Sequence, residues 1–339
     1  MTTDQDKKVA VGVSGGVDSS LTISLLKKKG FSPIGVFMKF WGDENHCCGM
    51  ESERRARKTC DDLEVPFYVL DVRDEFKKKV VDYFLKSYGR GETPNPCVVC
   101  NRDIKFKMLF EKVKNFGGSL VATGHYAKVE DGQLFIPKDE KKDQTYFLWS
   151  LQKEVLKNSL FPLGDLTKKE VRKAAKKIKL PAAEISDSQE VCFVEDALAD
   201  FLERHINFEP GDIESKEGKK LGAHKGLPVY TLGQRRGIGL SGGPFYVLGK
   251  DTKRNVLIVT KNEEDLMEKE VSFRDANFFE KTDFPVEVKA KIRYNAPKRK
   301  GVLKGKQEFF FNENQRAIAS GQSIVFYKNN RLLGGGVIN

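Results

Sequence analysis

Apolar positions change their period along the chain. Residues 8–13, Lys-Val-Ala-Val-Gly-Val, form a short apolar run, the pattern of a buried strand. From Val17 the apolar residues fall at helical spacing, through Leu21, Leu25 and Leu26, until Gly30 stands at a C-terminal cap position. The same alternation predicts strands at 32–40, 66–71 and 119–123 and helices near 17–29, 51–63, 74–88 and 101–116. Strands and helices in turn predict a parallel sheet covered by helices, an α/β fold. Ligands of such sheets sit beyond the strand C-termini, where Ser14, Met38 and Gly124 fall. Residues 127–137 read as a hairpin turning at Asp131-Gly132, and helical patterns return at about 145–157 and 167–179.

After about residue 206 the helical period fades and Gly and Pro become frequent. Val286, Val288, Ala290 and Ile292 alternate with Glu287, Lys289, Lys291 and Arg293, a half-buried strand. Residues 309–311, 323–327 and 332–337 continue an all-β pattern that predicts a small barrel. Boundaries near 206 and 268 give three expected domains, 1–205, 206–267 and 268–339. No internal repeat or low-complexity tract is visible.

The chemistry concentrates first at Val9-Ala-Val-Gly-Val-Ser-Gly-Gly-Val-Asp-Ser-Ser20. A strand feeding a glycine turn at a helix N-terminus is an anion site: free N–H groups and the positive dipole end face the ligand. The string is neither the dinucleotide fingerprint nor the Walker loop. Ser-Gly-Gly-Val-Asp-Ser looks like the loop of enzymes that split ATP between the α and β phosphates. The bland alternative is a tight strand–helix turn.

Charge adds a class of partner. The chain has 339 residues, 59 Lys and Arg against 48 Asp and Glu, and a formal charge of +11, which favours a polyanion. A dense run, Lys168, Lys169, Arg172, Lys173, Lys176, Lys177 and Lys179, reads as a solvated helix face or one that meets RNA. A polar start and the lack of a long apolar run argue against a signal peptide or a membrane span. The expected location is cytoplasmic. In that reducing compartment the six cysteines point to metal or redox chemistry more than to structural disulfides.

Thr93-Pro-Asn-Pro-Cys97-Val-Val-Cys100-Asn-Arg places two thiols near an expected helix N-terminus, a position that lowers a thiol pKa. A third thiol, Cys192, follows Ser186-Asp-Ser-Gln-Glu-Val. By spacing alone the set is a redox pair, half a zinc site or three ligands of a cluster. His46-Cys47-Cys48 reads as a mobile loop or as part of such a zinc site. Cys60 shares a helix face with Ala56 and Leu63, the position of a core residue.

Together these segments resemble the tRNA-specific 2-thiouridylases, the MnmA/TrmU family, nearly end to end. Besides Gly12–Ser19, the likeness covers Gly89–Phe106, Ala122-Thr-Gly-His-Tyr-Ala127, Lys142-Asp-Gln-Thr-Tyr146 and Leu160-Phe-Pro-Leu-Gly-Asp165. It continues through Asp187-Ser-Gln-Glu-Val-Cys192, Gly233-Gln-Arg-Arg-Gly237 and Gly321-Gln-Ser323. The resemblance implies an ATP-pyrophosphatase domain, a small linker domain and a C-terminal β-barrel. It implies ATP-dependent exchange of oxygen for sulfur at C2 of the wobble uridine in tRNAs of the Lys, Glu and Gln type. ATP and magnesium would lie on Gly12, Val13, Ser14, Gly15, Gly16, Val17, Asp18 and Ser19, with Met38 and Gly124 beside the adenosine. Asp18 and Ser19 are the candidates to orient the metal. Asn95, Pro96 and Cys97 would meet the flipped base, because C2 is unreachable in a stacked anticodon. His125, Lys142, Asp143, Gln144, Arg293, Tyr294 and Gln322 map onto tRNA contacts. Cys192 would carry a persulfide received from a cysteine desulfurase or relay protein. Cys100 would release the sulfur or close a disulfide. Many members have Asp where this chain has Cys97. Cys97, Cys100 and Cys192 would also suit a [4Fe–4S] cluster with one open iron, and both schemes stay open. The rivals are another adenylating enzyme or tRNA thiolase with the same loop, or a basic RNA-binding protein whose ATP loop is vestigial.

Overall fold

A computed structural model describes residues 7–41, 49–185, 191–194 and 196–339. His46, Cys47 and Cys48, and Ser186–Glu190 of the Cys192 motif, lie outside them. The chain divides into two compact units.

The first unit takes residues 1–80, 97–195 and 329–333. Its elements begin with β1 (Lys8–Gly12), α1 (Val17–Lys28), β2 (Ser32–Lys39), α2 (Met50–Asp62), β3 (Phe67–Asp71) and α3 (Arg73–Phe76). α4 (Asp82–Gly89) belongs to the second unit. The first resumes with α5 (Pro96–Cys100), α6 (Phe106–Asn115), β4 (Leu120–Ala122), β5 (Lys128–Glu130), β6 (Gln133–Phe135), α7 (Lys153–Lys157), β7 (Ser159–Leu160) and α8 (Lys168–Lys177). A π-helical turn, Asn101–Lys105, joins α5 to α6.

The sheet runs β3-β2-β1-β4-β7, with every pairing parallel. Strand order reverses at β1, so the loop after β1 opens at the switch point where such sheets bind ligands. Val9 and Val11 of β1 are fully buried with Ile23, Leu26, Phe37 and Cys60. On the other side of α1, Val17 and Leu21 pack with Tyr126, Leu163, Val171 and Ala175. α1 is therefore held on two faces, which fixes its N-terminus over the loop. Cys60 is core, as its helix face predicts, and burial pushes its thiol up to about 12.

One predicted helix breaks up. Residues 145–157 form a 3-10 turn, Thr145–Phe147, and the short α7, and β7 follows. The cause is tertiary: Tyr146, Leu148, Trp149 and Leu151 are all buried, which a one-faced helix could not achieve. The hairpin at Asp131-Gly132 forms, and in this unit Arg331 and Leu332 pair with Phe135 and Leu134.

The second unit takes residues 81–96, 196–328 and 334–339. After α4 and α9 (Leu198–His205), a helix absent from the sequence reading, come β8 (Gly211–Ser215), β9 (Lys220–His224), β10 (Tyr246–Asp251) and β11 (Val256–Thr260). They form a sheet in the order β10-β11-β8-β9 over Ile213, Val247, Leu257 and Val259. Then β12 (Met267–Phe278), β13 (Val286–Lys291), β14 (Arg299–Leu303), β15 (Glu308–Arg316), β16 (Ser323–Lys328) and β17 (Arg331–Ile338) run in the order β12-β15-β14-β13-β16-β17. The β12–β17 pairing closes them into a six-stranded barrel. Val288 and Ala290 point inward and Glu287 and Lys289 outward, as the alternation predicts. Among the described residues no helix is long and apolar enough to cross a membrane.

Candidate active site

The loop after β1 is knotted by hydroxyls. Ser19 Oγ accepts the Ser14 N–H at 3.2 Å, lies 3.3 Å from Ser14 Oγ and donates to the Gly16 carbonyl at 3.1 Å. Gly15 has φ +73°, and a Cβ there would strike the Ser52 carbonyl of α2, so glycine is required twice over. Arg55 of α2 reaches back to the Gly15 carbonyl at 3.4 Å and to Ser52 Oγ at 2.9 Å. Gly124 has a structural duty of its own. A Cβ there would come within 2.8 Å of the Ser19 nitrogen, so the Gly-His-Tyr turn can approach α1 only because the side chain is missing. Met38, at the C-terminal end of β2, is 5% exposed.

Asp18, in the first turn of α1, is clamped. Lys168 Nζ donates to Oδ1 and Oδ2 at 2.8 and 2.7 Å, and the Tyr126 hydroxyl donates to Oδ1 at 2.9 Å. In the sequence Lys168 opens a basic run that reads as a solvated or RNA-facing helix face. Its side chain is only 12% exposed, and its ammonium stands 5.8 Å from the Tyr126 ring centre. Arg55, Tyr126 and Lys168 are site residues that the sequence reading passed over. A signal for Lys168 was present: Thr167 and Glu170 form a capping box, which puts Lys168 at the first helical position, where the dipole disfavours a cation.

The thiols behave differently. Cys97 is exposed and Cys100 buried. The expected lowering at a helix N-terminus does not hold for Cys100, because burial pushes its thiol up to about 11 despite nearby Lys105. Residues 96–115 are helical throughout, and the cost of desolvating a thiolate here exceeds what the helix N-terminus returns. Among the described residues no disulfide joins Cys60, Cys97, Cys100 or Cys192 to one another. Nor do the described residues contain any group of three His, Cys, Asp or Glu side chains able to hold a metal ion. Among them, the three-thiolate ligand set expected for a cluster is therefore not assembled.

The residues mapped onto tRNA contacts divide. His125 accepts from or donates to Thr123 Oγ1 at 2.7 Å and stacks on Phe106, and burial lowers its pKa to about 3, so the imidazole is neutral. Gln144 holds Tyr126 in place: its Oε1 accepts the Tyr126 N–H at 2.9 Å. Asp143 is 2% exposed and accepts from Thr145 N–H and O–H. Lys142 is half-buried. In the second unit, Gln322 Nε2 donates to the Thr93 carbonyl at 2.8 Å, and Thr93 N–H to the Ser320 carbonyl at 2.8 Å. Gln322 thereby anchors the segment that carries Asn95 and Pro96. Arg293 donates to the Ala317 carbonyl at 2.6 Å, with Tyr294 next to it in sequence and half-buried.

The chain matches the model of the tRNA methyl transferase HUP domain over residues 7–196, more than half its length. Residues 199–261 match the tRNA methyl transferase PRC-barrel domain, and residues 268–338 the aminomethyltransferase beta-barrel domain. The tRNA-specific 2-thiouridylase MnmA of Clostridium perfringens is 43% identical over 98% of this chain and 98% of its own. The chain belongs to the tRNA-specific 2-thiouridylase family. The MnmA of Clostridioides difficile is 41% identical with the same coverage. A solved U34-tRNA thiolase from Methanococcus maripaludis is 20% identical, with a TM-score of 0.39 over 59% of this chain and 65% of that one, too distant to bear on chemistry.

Proposed function

We propose that this chain carries out ATP-dependent 2-thiolation of the wobble uridine of tRNA, in the reducing cytoplasm. The observation that carries the reading is the Ser14–Ser19 loop. It opens at the switch point of a parallel sheet, with backbone amides and the Lys168–Asp18 ion pair beside them. The family of the chain supplies the substrate class.

The uracil O2 is a poor leaving group and is first adenylated. O2 attacks the α-phosphorus, the bond to the β-phosphate breaks, and pyrophosphate leaves with the electron pair. The N3 proton passes to solvent. Asp18 and substrate phosphates suit magnesium, which takes one or two carboxylates with phosphates and would neutralise their charge there. Met38 and Gly124 line the adenosine end, and Asn95, Pro96 and Cys97 meet the extruded base.

Sulfur follows through cysteines. Cys192 bears a persulfide supplied by a sulfur-donor protein, and its terminal sulfur attacks C2. The C2–O bond breaks and AMP leaves with the electron pair. Cys100 then attacks Cys192 Sγ, so a Cys100–Cys192 disulfide forms and the sulfur stays on C2. A dithiol reductant restores both thiols. That no disulfide joins Cys100 and Cys192 agrees with the resting enzyme of this scheme.

The test is the product pair. Purified protein with cognate tRNA and a persulfide donor should release AMP and pyrophosphate and yield 2-thiouridine by nucleoside mass spectrometry. ADP and phosphate would overturn the reading.

A further inference from the structure

Lys168 is an anomaly of its own helix. The Thr167–Glu170 box fixes the start of α8, with Glu170 Oε2 accepting the Thr167 N–H at 2.7 Å, and so places Lys168 at the first helical position. A cation there opposes the dipole, and α8 gains nothing from it. The side chain is nevertheless withdrawn from solvent and laid on Asp18, 150 residues away in sequence. Its backbone N–H is tied to Asp139 Oδ2 at 2.9 Å, so the base of the side chain is fixed while its four-carbon stem keeps its freedom. Asp18 stands in the first turn of α1, beside the amides that would cradle phosphate, and Arg55 reaches the same loop. Lys168 and the α1 N-terminus bring positive charge to the loop beside Asp18, whereas Arg55, which reaches the same loop, is itself paired with Glu51 at 2.7 Å.

We propose that Lys168 is a catalytic residue of adenylation, held on Asp18 while ATP is absent and transferred to the polyphosphate when ATP fills the loop. This rests on the ATP-pyrophosphatase reading of the loop above. In the adenylation step the α–β bridging bond breaks and pyrophosphate takes the electron pair. Lys168 stays protonated and meets that new charge, and no proton moves through it. Its departure also frees Asp18, whose carboxylate then faces the phosphates. Tyr126, bonded to Asp18 through its hydroxyl, keeps the carboxylate oriented during the exchange.

The experiment uses the full-length protein and four variants: Lys168→Met, Lys168→Arg, Asp18→Asn, and Lys168→Met combined with Asp18→Asn. Calorimetry without tRNA measures AMP, ATP and pyrophosphate binding, and quenched-flow measures AMP formation with tRNA and a persulfide donor. Lys168→Met should bind AMP like the parent, lose pyrophosphate affinity, and form AMP about 100-fold more slowly, the scale of one lost charge-stabilising group. Lys168→Arg should restore pyrophosphate binding to within a few-fold. Combining Lys168→Met with Asp18→Asn should not restore it. If the double variant regains full pyrophosphate affinity, Lys168 merely neutralises Asp18 and the proposal fails. Unchanged AMP formation by folded Lys168→Met protein overturns it as well. Release of ADP by the parent enzyme would instead refute the reading of the loop, a separate outcome.

Discussion

The phosphate loop and the cysteine segment lie in the same unit, yet they are prepared to different degrees. The loop after β1 is finished: its hydroxyls are paired, its glycine fits against Ser52, and Asp18 is clamped by Lys168 and Tyr126. The thiols are not. Cys97 faces solvent, while Cys100 is buried with its thiol pushed up to about 11, and among the described residues no three-ligand group gathers around them. Rigid electrostatic preorganisation suits a step in which charge develops at a known place. In the proposed scheme Cys100 attacks only after the persulfide sulfur has reached the base, so its thiol is better left protonated until then. A buried, neutral Cys100 is protected from oxidation between turnovers.

The largest effects should come from the loop. Asp18→Ala and Ser19→Ala should slow AMP formation at least about 1000-fold, since each removes more than one loop interaction. Their tRNA affinity, measured by filter binding, should stay within a few-fold of the parent. Comparable loss of tRNA binding would erase the separation of the two regions.

Cysteine variants should show the opposite profile. Cys100→Ser and Cys192→Ser should abolish 2-thiouridine turnover while the first release of pyrophosphate persists, on the order of the parental rate, because adenylation precedes sulfur attack. A Cys192→Ser protein that still thiolates tRNA with a natural donor removes Cys192 from the scheme.

The difference between Cys97 and Cys100 can be read by alkylation. With its thiol near 11 instead of 9, Cys100 should react roughly 100-fold more slowly than a free thiol at neutral pH, apart from steric shielding. Its rate should climb about tenfold per pH unit, and exposed Cys97 should be modified first. The stability sign is fixed by the same shift. The folded state holds the proton more tightly, so this contribution is complete below pH 9 and is lost as pH rises from 9 to 11. Stability rising over that interval in a comparison of the parent with Cys100→Ala would contradict the burial.

Gly124→Ala sharpens the loop side. The added Cβ meets the Ser19 nitrogen at 2.8 Å, a backbone atom that cannot easily yield. A cost of about 1–3 kcal/mol is expected in denaturant titration, with AMP formation reduced together with it. A neutral result would mean that the turn and α1 part without penalty.

The smallest effect belongs to the exposed basic face of α8. Reversing Lys173 and Lys176 should weaken tRNA binding several-fold and lower the salt slope by roughly one for each phosphate no longer neutralised. Binding that is flat with salt would remove the +11 charge from RNA recognition.

What the sequence determined by itself was local or periodic. Its two-fold and helical periods gave β1 to β4 and the helices between them, because each of these elements buries one face or both. Gly15 and the serines announced an anion loop, because the chemistry resides in neighbours. The alternation at 286–293 foretold a barrel strand for the same reason. Tertiary structure decided what depends on partners distant in sequence. Residues 145–151 lost their helix because their apolar side chains are surrounded rather than one-sided. Cys100 lost its expected low pKa because burial outweighs the pull of a helix N-terminus. Lys168 left the solvated face because Asp18, at the start of another helix, offers it an anion. A cation's position on its own helix is written in the sequence; the charge that waits for it across the fold is not.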